Sequence, residues 1–459
     1  MTLHVVTIET PALGDRSYLA HDGEAGVLID PQRDLDRALA AAESARVRVT
    51  HVLETHIHND YVTGGLALAE ELGASYVVAA GEEVDFDRLP AVEGMRFQSG
   101  SLAITAMHTP GHTPYHLSYT AGIDGSEPQA VFTGGSMLYG SVGRTDLVGP
   151  ELTESLTRDQ YHSVRHLARV LPPGTQVFPT HGFGSFCSAV ETTGTSSTIG
   201  DECRTNIAVR LDDEDVFVKT LMEGLAAYPR YYAHMAPLNR QGPGAADLTP
   251  PVPVDASELL RRIDAREWVV DLRDRTAFAR RHVAGTISVE LGDSFSTFLG
   301  WVIAWNTPLT LIADSPHQIA EAQRQLSRIG IDRLAGAATG GIGQLAGGLT
   351  ASYPVGRFDD LYNGGDHDGR VILDVRRPDE WRAGHLSGAI HIPFWEIESR
   401  VGEIPAGEVW VYCASGFRAS IAVSLLDRAG RRAVLIDDDW ARAAELGLPL
   451  SYPERRGAP

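Results

Sequence analysis

Short apolar runs ending in polar clusters dominate the first half of the chain. Residues 48–56 read RVTHVLETH, 102–112 read LAITAMHTPGH, 130–136 read AVFTGGS and 176–182 read QVFPTHG. Each is a strand-length apolar or β-branched run followed by turn formers. Helically spaced stretches intervene, GGLALAEELG at 64–73 and LTRDQYHSVRHLARVL at 156–171. The pattern predicts a mixed α/β domain whose histidines gather at the C-terminal ends of strands. Ligands tend to bind outside such ends.

The second half repeats itself. VVDLRDRTAFARRHVAGTI begins at Val269 and VILDVRRPDEWRAGHLSGAI begins at Val371. Asp271, Arg273, His282, Gly285 and Ile287 align with Asp374, Arg376, His385, Gly388 and Ile390, and after a short slip Leu326, Arg328 and Gly330 align with Leu426, Arg428 and Gly430. Each copy alternates strand and helix, which predicts two small parallel-sheet α/β domains. The Pro- and Gly-rich stretch 236–254 reads as a linker, and 346–358 as a shorter one. The expected domains are therefore 1–235, 255–350 and 358–455.

Composition narrows the function. The 459 residues carry 60 acidic against 39 basic side chains, a net charge of −21. Such a balance argues against nucleic acid and anionic membranes as partners. No apolar run is long enough to span a membrane, and no basic start leads into an apolar stretch. Three cysteines, Cys187, Cys203 and Cys413, are too few for a disulfide scaffold. A reducing cytoplasm is the expected setting. Homo-oligomerisation is left open.

Two stretches carry candidate chemistry. His56, His58 and Asp60 share one strand-end loop, His112 lies on a second and His181 on a third. Imidazoles on separate loops can converge on one first-row metal ion. The other stretch is VWVYCASGFRASIAVSLL from Val409, an apolar strand, a tight loop and a helix. Cys413 opens the loop and Arg418 closes it. The N–H groups of Ala414, Ser415, Gly416 and Phe417, with the positive end of the helix, favour a thiolate and cradle an anion. That suits transfer of sulfane sulfur through Cys–S–S⁻. A phosphatase loop is the rival, but its cysteine-to-arginine spacing is one residue longer. In the middle repeat Ala313 stands opposite Cys413 and Gln318 opposite Arg418, and 255–355 holds no thiol. That copy is expected to be catalytically silent.

HIHND, PGHTP, FTGG, GRTD, YHSV and PTHG, in that order, resemble the metallo-β-lactamase superfamily, and more narrowly its persulfide dioxygenase branch. LDVRRPDEWRAGHLSGAIHIP and CASGFRA resemble rhodanese domains. The resemblance implies an αββα sandwich followed by two rhodanese-like domains. It also implies mononuclear Fe(II) on His56, His112 and an aspartate, with Arg144 gripping the substrate anion or pairing with Asp146. The aspartate belongs where this chain has Gly135, and Tyr61 stands where a further histidine often does. Three outcomes stay open: His58 completes a set suited to zinc, Asp60 supplies the carboxylate, or no metal binds. An aspartate at 135 is expected to strengthen iron binding. The implied function is a persulfide dioxygenase–sulfurtransferase fusion converting a low-molecular-weight persulfide to sulfite or thiosulfate. The alternatives are a zinc thioester hydrolase fused to rhodanese, or a metal-free platform with Cys413 alone active.

Overall fold

The computed structural model describes residues 1–188, 194–363 and 370–452. Within the expected domain 358–455, residues 364–369 and 453–455 lie outside the described residues. The chain divides into two compact units, Met1–Asp247 with Leu326–Gly330, and Leu248–Gln325 with Ile331–Pro459.

The first unit holds two six-stranded sheets. The first sheet runs in chain order from His4–Thr10 to Leu89–Ala91, opening with an antiparallel meander and continuing with parallel strands. The second runs from Arg96–Ser99 to Ser197–Thr198 and is mainly antiparallel. Tyr18, Val27, Ile29, Leu53, Phe97, Ile104, Tyr119 and Phe132 fill one core, drawn from strands of both sheets. Alternate residues of the first sheet, such as Leu19, Leu28 and Val52, pack with helices Leu35–Ala45 and Gly65–Leu72. Val131 and Val177 of the second sheet pack with Val164 and Leu167 of helix Thr153–Val170. Period-two alternation thus gives each sheet an inner and an outer apolar face, and the layers are αββα.

The second unit holds two main sheets, both parallel. One has the order Ile287–Ser288, Trp268–Asp271, Leu309–Ala313, Leu334–Thr339. The other has the order Val355–Gly356, Ala433–Ile436, Glu408–Tyr412, Arg370–Asp374, Ile390–His391. Their central strands are apolar on both faces, as buried parallel strands require. The repeat extends to side chains. Arg273 grips Asp271, and Arg376 grips Asp374, each through two guanidinium nitrogens. His282 Nδ1–H donates to the Phe278 carbonyl at 2.9 Å, and His385 Nδ1–H donates to the Trp381 carbonyl at 3.0 Å.

The stretch 236–254 is not one uniform linker. Helix Tyr232–Gln241 runs into it, and Asn239 is buried in the first unit. At its other end Val254 N–H donates to the Ala337 carbonyl at 2.8 Å, extending a sheet edge. The Pro–Gly composition marks the irregular residues between, while the buried Asn239 was invisible to pattern. Among the described residues, no helix is long and apolar enough to cross a membrane.

Candidate metal and sulfur sites

His56, His112 and His181 each follow a strand, one from the first sheet and two from the second. Their rings converge, with the candidate ligand atoms within 4.8 Å of one another and all three residues buried. The hydrogen bonds decide which nitrogen faces inward. Thr55 Oγ1 donates its proton to Asp30 at 2.7 Å, so it accepts from His56 Nδ1–H at 2.9 Å. His112 Nδ1–H donates to the Arg144 carbonyl at 2.7 Å, and His181 Nδ1–H to Asp15 at 2.9 Å. Each ring therefore turns Nε2 toward the others, and His112 Nε2 is buried without a partner. Three imidazole lone pairs aimed at one point, each fixed by an outer partner, fit a metal ion.

Electrostatics supports that reading for two of the three rings, while a metal would have to displace a proton from His181. Burial and the neighbouring histidines hold His56 far below the ordinary imidazole range, and burial with His181 pushes His112 down to about 3. Both are neutral donors. Burial works against a charged His181, but Asp60 and Asp15 lift it well above its ordinary value. Burial and Asp60 push Asp15 up to about 7, while His181 overcomes burial and holds Asp60 low.

His58 and Asp60 take other partners. His58 Nε2 lies 3.3 Å from Asp30, 3.2 Å from Glu54 and 3.0 Å from the Tyr61 hydroxyl. Burial would lower it, yet the two carboxylates raise it to about 9. Asp60 lies 3.1 Å from His181 Nδ1. His58–Asp60–His181 and Asp30–Glu54–His58 are each compact enough to hold a cation. The structure thus keeps His58 and Asp60, whose Nδ1 and Oδ1 are buried without partners, close to His56 and His112, and the His56–His112–His181 and His58–Asp60–His181 groups share His181. Its loop was visible in sequence, but its pairing depends on Asp15, far along the chain.

Gly135 is explained sterically. A Cβ there would overlap the His112 ring, with Cγ at 2.5 Å. The imidazole occupies the space that an aspartate's side chain would need to enter. Gly135 N–H also donates to His116 Nε2 at 3.1 Å, and the His116 ring stacks on His56 at 5.0 Å. His116 and Asn239, whose amide donates to the His58 and Tyr61 carbonyls at 2.9 and 2.8 Å, support the site without any motif signalling them.

Arg144 is committed to structure. It is buried, and its guanidinium donates to both Asp146 oxygens at 2.7 and 2.8 Å and to the Phe186 and Ala226 carbonyls at 3.0 and 2.7 Å. A substrate-gripping role would have to displace these partners. Ser163 of YHSV donates to the Pro110 carbonyl at 2.7 Å, fixing the loop that carries His112. Cys187 is buried, its thiol pushed up by burial and by Asp60, and Cys203 is exposed.

In the second unit, Cys413 directly follows strand Glu408–Tyr412 and is buried. Among the described residues, the N–H groups of Ala414, Ser415 and Gly416 donate to no other group. Gly416 has φ +87°, which suits a glycine at this turn. Arg418, on helix Phe417–Arg428, donates through both terminal nitrogens to Glu380, with Nη2 at 2.8 Å. At the corresponding loop of the middle repeat, Gln318 Oε1 accepts from the N–H groups of Asp314 at 3.0 Å and Ser315 at 3.2 Å. That side chain fills the cradle from within, and no thiol stands at Ala313.

Residues 13–181 match the metallo-beta-lactamase superfamily, and residues 357–444 match the rhodanese-like domain. A hydroxyacylglutathione hydrolase of Cereibacter sphaeroides is 33% identical over 192 residues, 40% of this chain and 68% of that one. The mitochondrial persulfide dioxygenase of Homo sapiens is 28% identical over 211 residues, 45% of this chain and 75% of that one. A crystal structure of a metallo-beta-lactamase from Staphylococcus aureus superposes with a TM-score of 0.67 at 26% identity. It covers 74% of this chain and all of that one.

Proposed function

The chain belongs to the metallo-beta-lactamase superfamily and carries a rhodanese-like domain toward its C-terminus, and on that premise we propose that it is a two-centre enzyme of sulfur metabolism. One centre oxidises a low-molecular-weight persulfide at a metal held by His56, His112 and His181. The other transfers sulfane sulfur at Cys413. Sulfite and thiosulfate are the products. The first centre lies in the unit built on Met1–Asp247 and the second in the other unit, with the repeat copy at 255–350 silent.

The observation that carries the reading is the Cys413 loop, whose amides are unspent while their middle-repeat counterparts are capped by Gln318. The Cys413 thiolate attacks the outer sulfur of R–S–S⁻. The S–S bond of the donor breaks, Cys–S–S⁻ forms and RS⁻ leaves. Sulfite then takes the outer sulfur, giving thiosulfate and the free thiolate. The loop amides receive the anion, and Arg418, both of whose terminal nitrogens donate to Glu380, lends only the share of its charge that Glu380 leaves.

At the first centre a bound ion would supply Lewis acidity and, as iron, one-electron chemistry toward O₂. The residues themselves set direction and protonation. Thr55, the Arg144 carbonyl and Asp15 keep each Nδ1 protonated and each Nε2 turned inward. Burial excludes bulk water. A second reading has its own support: three histidines with no carboxylate among the ligands suit zinc, and the hydroxyacylglutathione hydrolase likeness points to a thioester hydrolase.

The test is Cys413→Ser, assayed for oxygen uptake with glutathione persulfide and for sulfur transfer from thiosulfate to cyanide. Transfer should vanish and oxygen uptake should remain. Loss of both refutes separate centres. Hydrolysis of a glutathione thioester without oxygen uptake puts the zinc reading first.

A further inference from the structure

The silent repeat reaches the neighbourhood of Cys413 with two side chains. Arg275 Nε donates to Asp437 Oδ1 at 2.7 Å, and its Nη1 donates to Glu290 at 2.7 Å. Asp437 follows the strand beside that of Cys413, and its carboxylate lies directly against Gly416. A Cβ at 416 would overlap it, with Asp437 Cγ at 3.1 Å. A carboxylate therefore stands at the turn of an anion-binding loop, with a guanidinium from the other repeat against it. Phe298, from helix Phe295–Val302, packs on Phe417 at 5.4 Å and on Phe394 at 5.6 Å between ring centroids. Phe417 is the residue after Gly416.

Several of the charges around the loop pair off. Arg418 meets Glu380, and Arg376 meets Asp374. Arg275 is shared by Asp437 and Glu290. Without Arg275, Asp437 and Glu290 would lose that shared cation, and Asp437 would oppose any donor anion approaching the amides.

We propose that the silent repeat is a working part of the Cys413 site: Arg275 cancels the Asp437 carboxylate against the loop that receives the sulfur donor, and Phe298 backs the loop at Phe417. The proposal rests on Cys413 being the sulfur carrier. Arg275 is a positioning residue, acting through Asp437 and not on the donor itself. It gives the copy that lost its thiol a reason to be retained beside the active one.

The test uses the full chain with thiosulfate as donor at low ionic strength. Arg275→Gln should raise KM about five- to tenfold and leave kcat within about twofold, the size of effect one uncancelled nearby charge produces. Adding Asp437→Asn to that variant should return KM to within about twofold of the parent, and Arg275→Lys should retain most of the effect of arginine. A purely structural clamp would not be rescued by Asp437→Asn. An unchanged KM in Arg275→Gln, or a double variant as impaired as the single, overturns the proposal. A second readout is independent of turnover: the ratio of Cys413 alkylation by anionic iodoacetate to that by neutral iodoacetamide. It should fall several-fold in Arg275→Gln and recover in the double variant; a constant ratio overturns the proposal. Failure of thiosulfate and glutathione persulfide to load Cys413 in the parent would sink the sulfur-carrier reading alone, and the alkylation ratio would still decide the role of Arg275.

Discussion

Replacing Glu380 by glutamine removes a charge from the wall of the Cys413 loop, and its cost follows from the structure. Arg418 is 8% exposed and donates through both terminal nitrogens to the Glu380 carboxylate. Burial would raise this carboxyl, but Arg418 overcomes it and holds Glu380 at about 2, against an ordinary 4.5. A displacement of that size corresponds to about 3 kcal/mol of stability at neutral pH. Breaking a fully buried ion pair costs about 3–5 kcal/mol in other proteins, and with Glu380 21% exposed this pair belongs at or below the bottom of that range. The folded value is the depressed one, so the stabilisation is complete above about pH 4.5. It declines to about half near pH 3 and is lost as pH falls through about 2. All 7 tryptophans lie in the second unit, so their fluorescence during urea denaturation reports that unit alone. Glu380→Gln should be less stable by about 3 kcal/mol at pH 7, with the gap roughly halved at pH 3. A gap below about 1 kcal/mol at pH 7, or one that acid does not narrow, refutes the argument.

Four further outcomes are expected. Gly135→Ala should displace His112 and destabilise the first unit by about 1–3 kcal/mol, and Gly135→Asp should weaken metal retention; tighter iron binding by the aspartate variant on metal analysis would show that the His112 ring yields easily. Asp30→Asn loosens the Thr55–His56 relay and should lower metal affinity about tenfold or more, read by competition with a chelator; unchanged affinity would mean that Thr55 orients His56 without help from Asp30. Gly416→Ala places a Cβ against Asp437 at a positive-φ turn and should abolish sulfur transfer while leaving metal content unchanged; retained transfer would contradict the close packing of the loop.

Much of the fold was legible because its signals are local. Strands ended where apolar runs met Gly, Pro and His, and the offset repeat announced two copies of one parallel sheet. Cys413 and Arg418 were legible because one loop carries the whole constellation. The metal site was only partly so. His58 sits two residues from His56 in sequence and its ring stays 4.1 Å from that of His56, yet Asp30 and Glu54 hold its Nε2, and that contest is settled by packing between distant strands. His181 enters through Asp15, separated from it by most of the first unit. The glycine at 135 reads in sequence as a lost ligand, whereas in space it is the clearance that lets His112 lie where it does. Asn239 falls in a stretch whose composition reads as linker, because one buried amide leaves no periodic trace.

Persulfide oxidation by the first unit depends on a metal held by His56, His112 and His181. The most direct measurement is the metal content of protein purified without oxygen, for the parent chain and for His112→Ala. Near-stoichiometric iron in the parent, lost in His112→Ala, is the expected result. Zinc in place of iron would contradict the oxidation and favour thioester hydrolysis, and no metal in either protein would contradict the site itself.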